Sequence, residues 1–283
     1  MAVVFALLSA LMYALASVFQ QRAAAAAPVR HSLRIGLLAR LACNPLWLLG
    51  IATDIAGYVA QFVALQHGAL VLVQPLLVTG LLFALPLGAW FAGTRMTSTD
   101  WLAAATVCAG LGVFLVIAGS AHGHRPPTDG AWAIILVGST VVSGVLLLRA
   151  RGRTPRQRAT LMSGAAGLIY GVSAGFTKTA GLLLHHGILH LLGSWQVWGL
   201  VVTGVVGMVV AQSAFQAGAL DASLPTMSVV DPVVSILIGV AAFGEALPSG
   251  LGAMALEILS LAAMAFGVFG LARTKAAQVL HQP

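Results

Sequence analysis

Apolar runs of membrane-crossing length, separated by short polar or basic segments, fill most of the chain. A helix needs roughly 20 apolar residues to cross the hydrocarbon core of a bilayer. On that measure the pattern predicts nine spans, over 2–22, 45–67, 72–93, 100–120, 131–149, 160–184, 196–217, 222–243 and 250–272. Segments 30–44 and 185–195 are too short or too polar to cross and read as interfacial or re-entrant helices; a tenth span would have to use residues 30–50. The first run has no basic residue before it and Arg22 after it, the reverse of a secretory signal, so it is read as a mature helix. The expected fold is an all-α polytopic membrane protein.

The chain also repeats itself. In VALQHGALVLVQPLLVTGLLFALPLGA, residues Gln66, Gly68, Ala69, Leu70 and Pro75 match Gln216, Gly218, Ala219, Leu220 and Pro225 of SAFQAGALDASLPTMSVVDPVVSILIG. Gly57 and Ala64 match Gly207 and Ala214, and Tyr13 and Phe19 match Tyr170 and Phe176. Spans 1–4 form one copy and spans 6–9 the other, joined by span 5. This divides the chain into a first membrane repeat (1–120), a linker helix with a basic cytoplasmic loop (121–158), a second membrane repeat (159–273) and a cytoplasmic tail (274–283). An odd number of crossings between matching helices turns the second copy upside down. Inverted repeats of this kind mark secondary transporters, where one half rocks against the other around a midplane site.

Composition agrees with a lipid setting. The chain is 59% hydrophobic and 7% charged, where soluble domains carry about 25% charged residues. Its net charge of +7 points to nucleic acid until the charges are located. With the N-terminus outside, 12 of the 14 basic residues fall in connections on one side. They are Arg22, Arg30, Arg34, Arg40, Arg95, Arg149, Arg151, Arg153, Arg156, Arg158, Arg273 and Lys275; the other side has Arg125, and Lys178 lies inside a span. The positive-inside rule places that side, and the C-terminus, in the cytoplasm, so the charge reports topology in the cytoplasmic membrane and no nucleic-acid partner is expected. Cys43 and Cys108 lack metal-binding spacing and read as small apolar fillers.

Four charged residues fall within spans: Asp54, Lys178, Asp231 and Glu257. An ionised group costs roughly 3 kcal/mol at a helix centre, so such residues face a partner or a wet cavity and mark function by default. Helical spacing gives them company. Tyr170, Ser173, Thr177 and Lys178 form one stripe; Tyr13, Ser17 and Gln20 a second; Asp54, Tyr58 and Gln61 a third; Ser228, Asp231 and Ser235 a fourth. One polar cavity lined by Tyr13, Asp54, Tyr170, Thr177, Lys178, Asp231 and Glu257 is the economical arrangement. Lys178 is expected to face Glu257 or Asp231, either as a structural clamp or as part of the pathway. Pro232, directly after Asp231, is expected to break its helix and free a carbonyl there; Pro86 breaks span 3, whereas Pro75 and Pro225 sit near the start of spans 3 and 8, where a proline is harmless.

Gly167, Gly171 and Gly175 make a small-residue face for close helix packing, within one protomer or across a homodimer. His186 and His190 lie one helical turn apart beside His185, but with no carboxylate or cysteine nearby an interfacial loop outweighs a metal site; His122 and His124 read as an exposed outer loop. No Walker A, GxSxG, HExxH or GxGxxG pattern occurs, which leaves ATP-driven and hydrolytic chemistry without support; neither an enzyme nor a cofactor is expected.

With its two copies, the segments ALQHGALVLVQPLL and AFQAGALDASLPTMSVVDP, and FGEAL at 243–247, the chain resembles the drug/metabolite transporter superfamily, in particular EamA-like proteins. Gly244-Glu245 is similar to that family's glycine–glutamate turn before the final helix; the first copy has Thr94-Arg95 there. The nine-helix layout is similar to NIPA-type magnesium transporters. The resemblance implies outward movement of a small organic metabolite or amphipathic compound, with proton coupling through Asp231 or Glu257 as a further expectation. Magnesium transport is a second reading, opposed by the scarcity of intramembrane acids, by Lys178, and by Tyr58 where the NIPA pattern has an acid. A non-transporting, lipid-binding membrane subunit is the third.

Overall fold

The computed structural model describes residues 1–25, 35–91, 97–118, 127–217, 220–245 and 251–272. Among these residues there are twelve helices and no strand. In chain order they are α1 (Ala2–Ala25), α2 (Ile35–Leu41), α3 (Pro45–His67), α4 (Leu70–Leu77), α5 (Gly80–Phe91), α6 (Ser98–Ala118), α7 (Asp129–Arg149), α8 (Pro155–Leu184), α9 (Ile188–Gly193), α10 (Trp195–Gln216), α11 (Leu220–Phe243) and α12 (Leu251–Ala272). Seven of them, α1, α3, α7, α8, α10, α11 and α12, are long and apolar enough to cross a membrane, so this is an integral membrane protein. The expected residues Arg30, Arg34, Arg95, His122, His124, Arg125, Gly218, Ala219, Arg273 and Lys275 lie outside the described residues.

The helices start where local chemistry satisfies their free N–H groups. Asn44 caps α3 by accepting from the Leu46 and Trp47 amides, with Pro45 at the first position. Thr128 caps α7 through Ala131 N, and Thr154 caps α8 through Gln157 N, again with a proline following. At seven residues α2 rises about 10 Å, too little for a crossing of its own. The second short segment forms α9, six residues with no buried side chain.

One helix is the central post. In α8 78% of the best apolar window is buried, against 11% in α7, whose Ile134, Val137 and Val141 point outward. The burial of α8 follows from its small residues. Gly167, Gly171 and Gly175 face Val230, Val234 and Ile238 of α11, so the glycine face packs within the protomer. A methyl group on Gly171 would stand 2.7 Å from Val234 Cβ and 3.0 Å from Asp231 O.

The same contacts give the helix directions. Tyr13 packs on Gly57 and Gln20 on Gly50, so α1 and α3 are antiparallel; Tyr170 on Gly207 and Phe176 on Gly199 do the same for α8 and α10. Tyr58 meets Thr177 and Gln66 meets Gly181, so α3 and α8 run parallel. It follows that α1 and α8 point in opposite directions. Matching residues also make matching contacts. Tyr13 and Met12 crowd Gly57 as Tyr170 and Ile169 crowd Gly207, and Gly80 abuts Ala10 as Val230 abuts Gly167.

The prolines behave differently from expectation. α11 runs unbroken through the buried Pro232. α5 likewise continues through Pro86. The third predicted span is instead interrupted at Val78–Thr79, three residues after Pro75, which lies inside α4 and not in its first turn. A buried proline deprives one carbonyl of its donor, and close packing can hold the helix together around that loss. The α4–α5 turn is supported locally, with Thr79 Oγ1 donating to Leu76 O at 2.6 Å.

Overpacking a tight site costs about 1–3 kcal/mol. Gly171→Val is expected to lower the thermal unfolding midpoint in detergent, whereas Gly138→Val, on α7 with no atom within 4 Å of a new methyl, is expected to leave it nearly unchanged. Equal effects would show that the α8–α11 seam is not the tight contact described.

Candidate functional site

The outermost polar group is built around Glu245, which a glycine turn puts in place. Gly244 has φ +63°, and Glu245 N donates to Gly239 O at 3.0 Å, closing α11 with a left-handed cap. The cap folds the carboxylate back under the helix end. Gly239 leaves room for it, since a methyl there would collide with Glu245 Oε2. The carboxylate then accepts from Leu70 N and Val71 N, each at 2.9 Å. These are the first amides of α4, whose own N-cap residue, Ala69, has no side chain to offer. Glu245 therefore caps a helix 175 residues away in sequence. The positive end of the α4 dipole adds to the attraction.

Lys178 completes the group. Its ammonium donates to Glu245 Oε1 and lies 4.9 Å from the Phe243 ring centroid. Both ionised residues are buried. The expected partners of Lys178, Asp231 and Glu257, are thus replaced by a residue just beyond the predicted end of span 8. Thr177, beside it, donates to Ser173 O at 2.8 Å and receives the Tyr58 hydroxyl at 3.2 Å.

A second group lies deeper. Tyr170 is eight residues from Lys178, about 12 Å along α8. The carboxylates of Asp54 on α3 and Asp231 on α11 are both within electrostatic range of both the Tyr13 and the Tyr170 hydroxyls. Among the described residues no hydrogen bond joins any two of these four. All four residues are half-buried and sit on helices of membrane length. Tyr13 donates to Gln61 Oε1 at 2.6 Å, and Ser235 donates to Asp231 Oδ1 at 3.2 Å. Gln20, one helix away from Asp54, donates its amide to Gly50 O at 3.3 Å. Gln20 Oε1 in turn receives the Gln212 amide from α10.

Glu257 belongs to neither group. It is buried on α12, whose neighbour is α6, and among the described residues its Oε1 has no hydrogen-bond partner. Its main-chain carbonyl accepts from Ser260 Oγ at 2.7 Å. His185, His186 and His190 are exposed, with the last two rings 5.7 Å apart. No three metal-ligating side chains converge among the described residues.

Four residues carry weight that the stripes did not assign them. Glu245 was visible only as half of a turn motif. Gln20 and Gln61 stood in the stripes as company for other residues. Gln212 gave the weakest signal, one amide in an otherwise apolar run.

No protein-family model matches the chain, and no solved structure matches it. A protein of Corynebacterium glutamicum bearing the name "Uncharacterized protein Cgl0250/cg0304" is 36% identical over 247 residues, covering 87% of this chain and 85% of its own length.

Removing one partner of a buried ion pair costs about 3–5 kcal/mol, because a charge is left uncompensated. Lys178→Met and Glu245→Gln are each expected to destabilise the detergent-solubilised protein on that scale. The double variant is expected to be more stable than Lys178→Met alone, since the remaining amide still accepts from α4 and no charge is stranded. Additive losses in a denaturant-unfolding cycle would contradict the pairing.

Proposed function

We propose a function from the site itself, because the chain belongs to the family of the Corynebacterium glutamicum protein, whose name assigns no activity. In this reading the protein is a secondary transporter that moves a small organic compound across the cytoplasmic membrane by alternating access. One observation carries it. Asp54 from the first half and Asp231 from the second share a half-buried setting with Tyr13 and Tyr170, deep in membrane-length helices. Ionisable groups kept at membrane depth without a cationic partner need a purpose, and a substrate site between two halves supplies one.

The helix directions support the layout. α1 and α8 are opposed, and the Tyr13–Gly57 and Tyr170–Gly207 contacts recur at matching positions. That is the arrangement of two four-helix units in inverted orientation, with α4 and α5 counted as one interrupted crossing and α7 as the joining helix. It gives nine crossings, N-terminus outside and C-terminus in the cytoplasm, and agrees with the resemblance to the drug/metabolite transporter superfamily. Proton coupling runs through Asp231, the acid bonded to Ser235.

Topology has a direct check in Cys43, which is exposed on the short connection before α3. In a Cys108→Ser background, a membrane-impermeant maleimide is expected to label Cys43 in inside-out vesicles and not in right-side-out ones. The reverse pattern would invert the orientation.

Function is tested in proteoliposomes by loading one compound and following counterflow of its labelled form. Asp231→Asn and Asp54→Asn are each expected to reduce exchange by about tenfold or more while the protein stays folded. An imposed pH gradient is expected to drive accumulation in the wild type and not in Asp231→Asn. Exchange indifferent to the gradient would remove the coupling role and leave the carrier reading standing.

A further inference from the structure

The turn between α7 and α8 gathers the densest charge in the chain. RARGRTPRQR, residues 149–158, holds five arginines and no acid, and the acids that flank it along the chain are as far off as Asp129 and Asp221. Arg149, Arg151, Arg153 and Arg156 are exposed and Arg158 is half-buried. Cations gathered so closely repel one another, and an anion placed among them relieves that repulsion. Topology asks only for an excess of basic residues on one side; it does not ask for this concentration in a single turn.

The backbone holds these arginines at one level. Ala150 N donates to Leu146 O at 3.0 Å and Arg151 N to Leu148 O at 3.2 Å, closing α7. Gly152 turns the chain at φ +69°, and Thr154 then caps α8. The two helices pack antiparallel, with Leu146 beside Gly164 and Trp132 beside Gly175. Both are of membrane length. The link from Ala150 to Thr154 is too short to lift the arginines off a bilayer, so they stand at headgroup level at the end of a crossing pair. The positive end of the α8 dipole points into the same turn. A second observation concerns the surface below it. Of the seven membrane-length helices α7 is the least buried. Its Ile134, Val137, Val141, Val145 and Leu148 are exposed at i, i+3, i+7, i+11 and i+14, one apolar stripe that ends beside Arg149. The stripe runs about 21 Å, more than one leaflet's share of a hydrocarbon core roughly 30 Å thick.

We propose that the α7–α8 turn is a binding site for an anionic phospholipid, with the headgroup phosphate held by Arg149, Arg151 and Arg153 and the acyl chains lying along the α7 stripe. A guanidinium offers a phosphate two parallel N–H donors, which suits arginine to this contact. A zwitterionic lipid fits less well, because it brings a cation of its own into a turn that already holds five. The site stands apart from the deeper aspartates and does not depend on the carrier reading.

The test uses the purified full chain in a non-ionic detergent and three probes: dihexanoylphosphatidylglycerol, dihexanoylphosphatidylcholine and free glycerol 3-phosphate. Binding is read by native mass spectrometry and by thermal shift. The phosphatidylglycerol is expected to stay bound and to raise the melting temperature, and the other two to do neither at the same concentration. A basic residue near an anionic surface is worth about fivefold in affinity. The triple variant Arg149→Gln, Arg151→Gln, Arg153→Gln is therefore expected to bind the anionic lipid about a hundredfold more weakly. Its melting temperature without lipid is expected to match the wild type, since all three side chains are exposed. The corresponding triple lysine variant keeps the charge and is expected to bind within about tenfold of the wild type. Lysine as weak as glutamine would mean that the turn itself had been disturbed, and would overturn the site. Equal stabilisation by both lipids, or a full response in the glutamine variant, also overturns it. Glycerol 3-phosphate acting as well as the lipid would make this a site for soluble phosphates and remove the lipid assignment. Polyglutamate acting where the lipid does not would make it a docking face for an acidic protein instead.

Discussion

A single carboxylate sets the terms for one end of this protein. Glu245 accepts two amides at the start of α4 and the ammonium of Lys178, so three elements distant in sequence meet on two oxygen atoms. Each member would be expensive alone. An uncapped eight-residue helix has little to hold it together, an unpaired glutamate is costly inside a membrane protein, and so is an unpaired lysine. Together they neutralise one another, with the α4 dipole adding to the balance. The Phe243 ring near the ammonium and the gap left by Gly239 beside the carboxylate are shaped by the same requirement. Because Lys178 is committed here, it is not the partner of Asp54 or Asp231.

The two polar groups differ in what they leave open. In the Glu245 group both charged side chains are buried and paired with each other. At the deeper level Asp54, Asp231, Tyr13 and Tyr170 are half-buried, and the Gln212 carbonyl ends the chain of amides without a donor. A closed ion pair is suited to holding helices in register. An open set of acceptors is suited to receiving something. The same helix, α8, carries a member of each, with Tyr170 and Lys178 about two turns apart.

Much of this was legible along the chain, for identifiable reasons. A membrane span is a long, redundant signal, and the pairing of Tyr13 with Gly57 recurs in Tyr170 and Gly207 because matching residues solve matching packing problems. The stripes on α1, α3, α8 and α11 placed Tyr13, Asp54, Tyr170 and Asp231 beside polar neighbours, and two of those neighbours, Gln61 and Ser235, do bond to Tyr13 and Asp231. The partner of Lys178 was not legible. Depth in the bilayer suggested Glu257, but α12 sets that residue on the face towards α6, and the true partner lies past the end of α11, turned back by a left-handed glycine. Nor could the chain alone say which proline interrupts a helix. Pro232 is packed inside α11 and tolerated, whereas the turn after Pro75 separates α4 from α5. That difference is decided by neighbours, which no local pattern encodes.

The break at Val78–Thr79 gains meaning from what each side of it is fastened to. α4 is tied to the end of α11 and to α8 through Glu245 and Lys178, and α11 is locked to α8 by the three-glycine seam. α5 lies instead along α1, where Leu87 and Ala84 pack with Ala14 and Val18. α1 is in turn fastened to α3 by Tyr13, by Gln20 and by Ser9 Oγ donating to Gly57 O at 2.8 Å. The helices α4, α8 and α11, with α10 along α8, make one packed group and α1, α3 and α5 another, with α1 also against α4 and α10 and α3 against α8. The turn between α4 and α5 is a covalent joint between them. Asp231 stands on the first set and Asp54 on the second. In a carrier that rocks, this division leaves the Glu245 group intact while the distance between the two aspartates changes, which keeps the costly ion pair closed as access alternates.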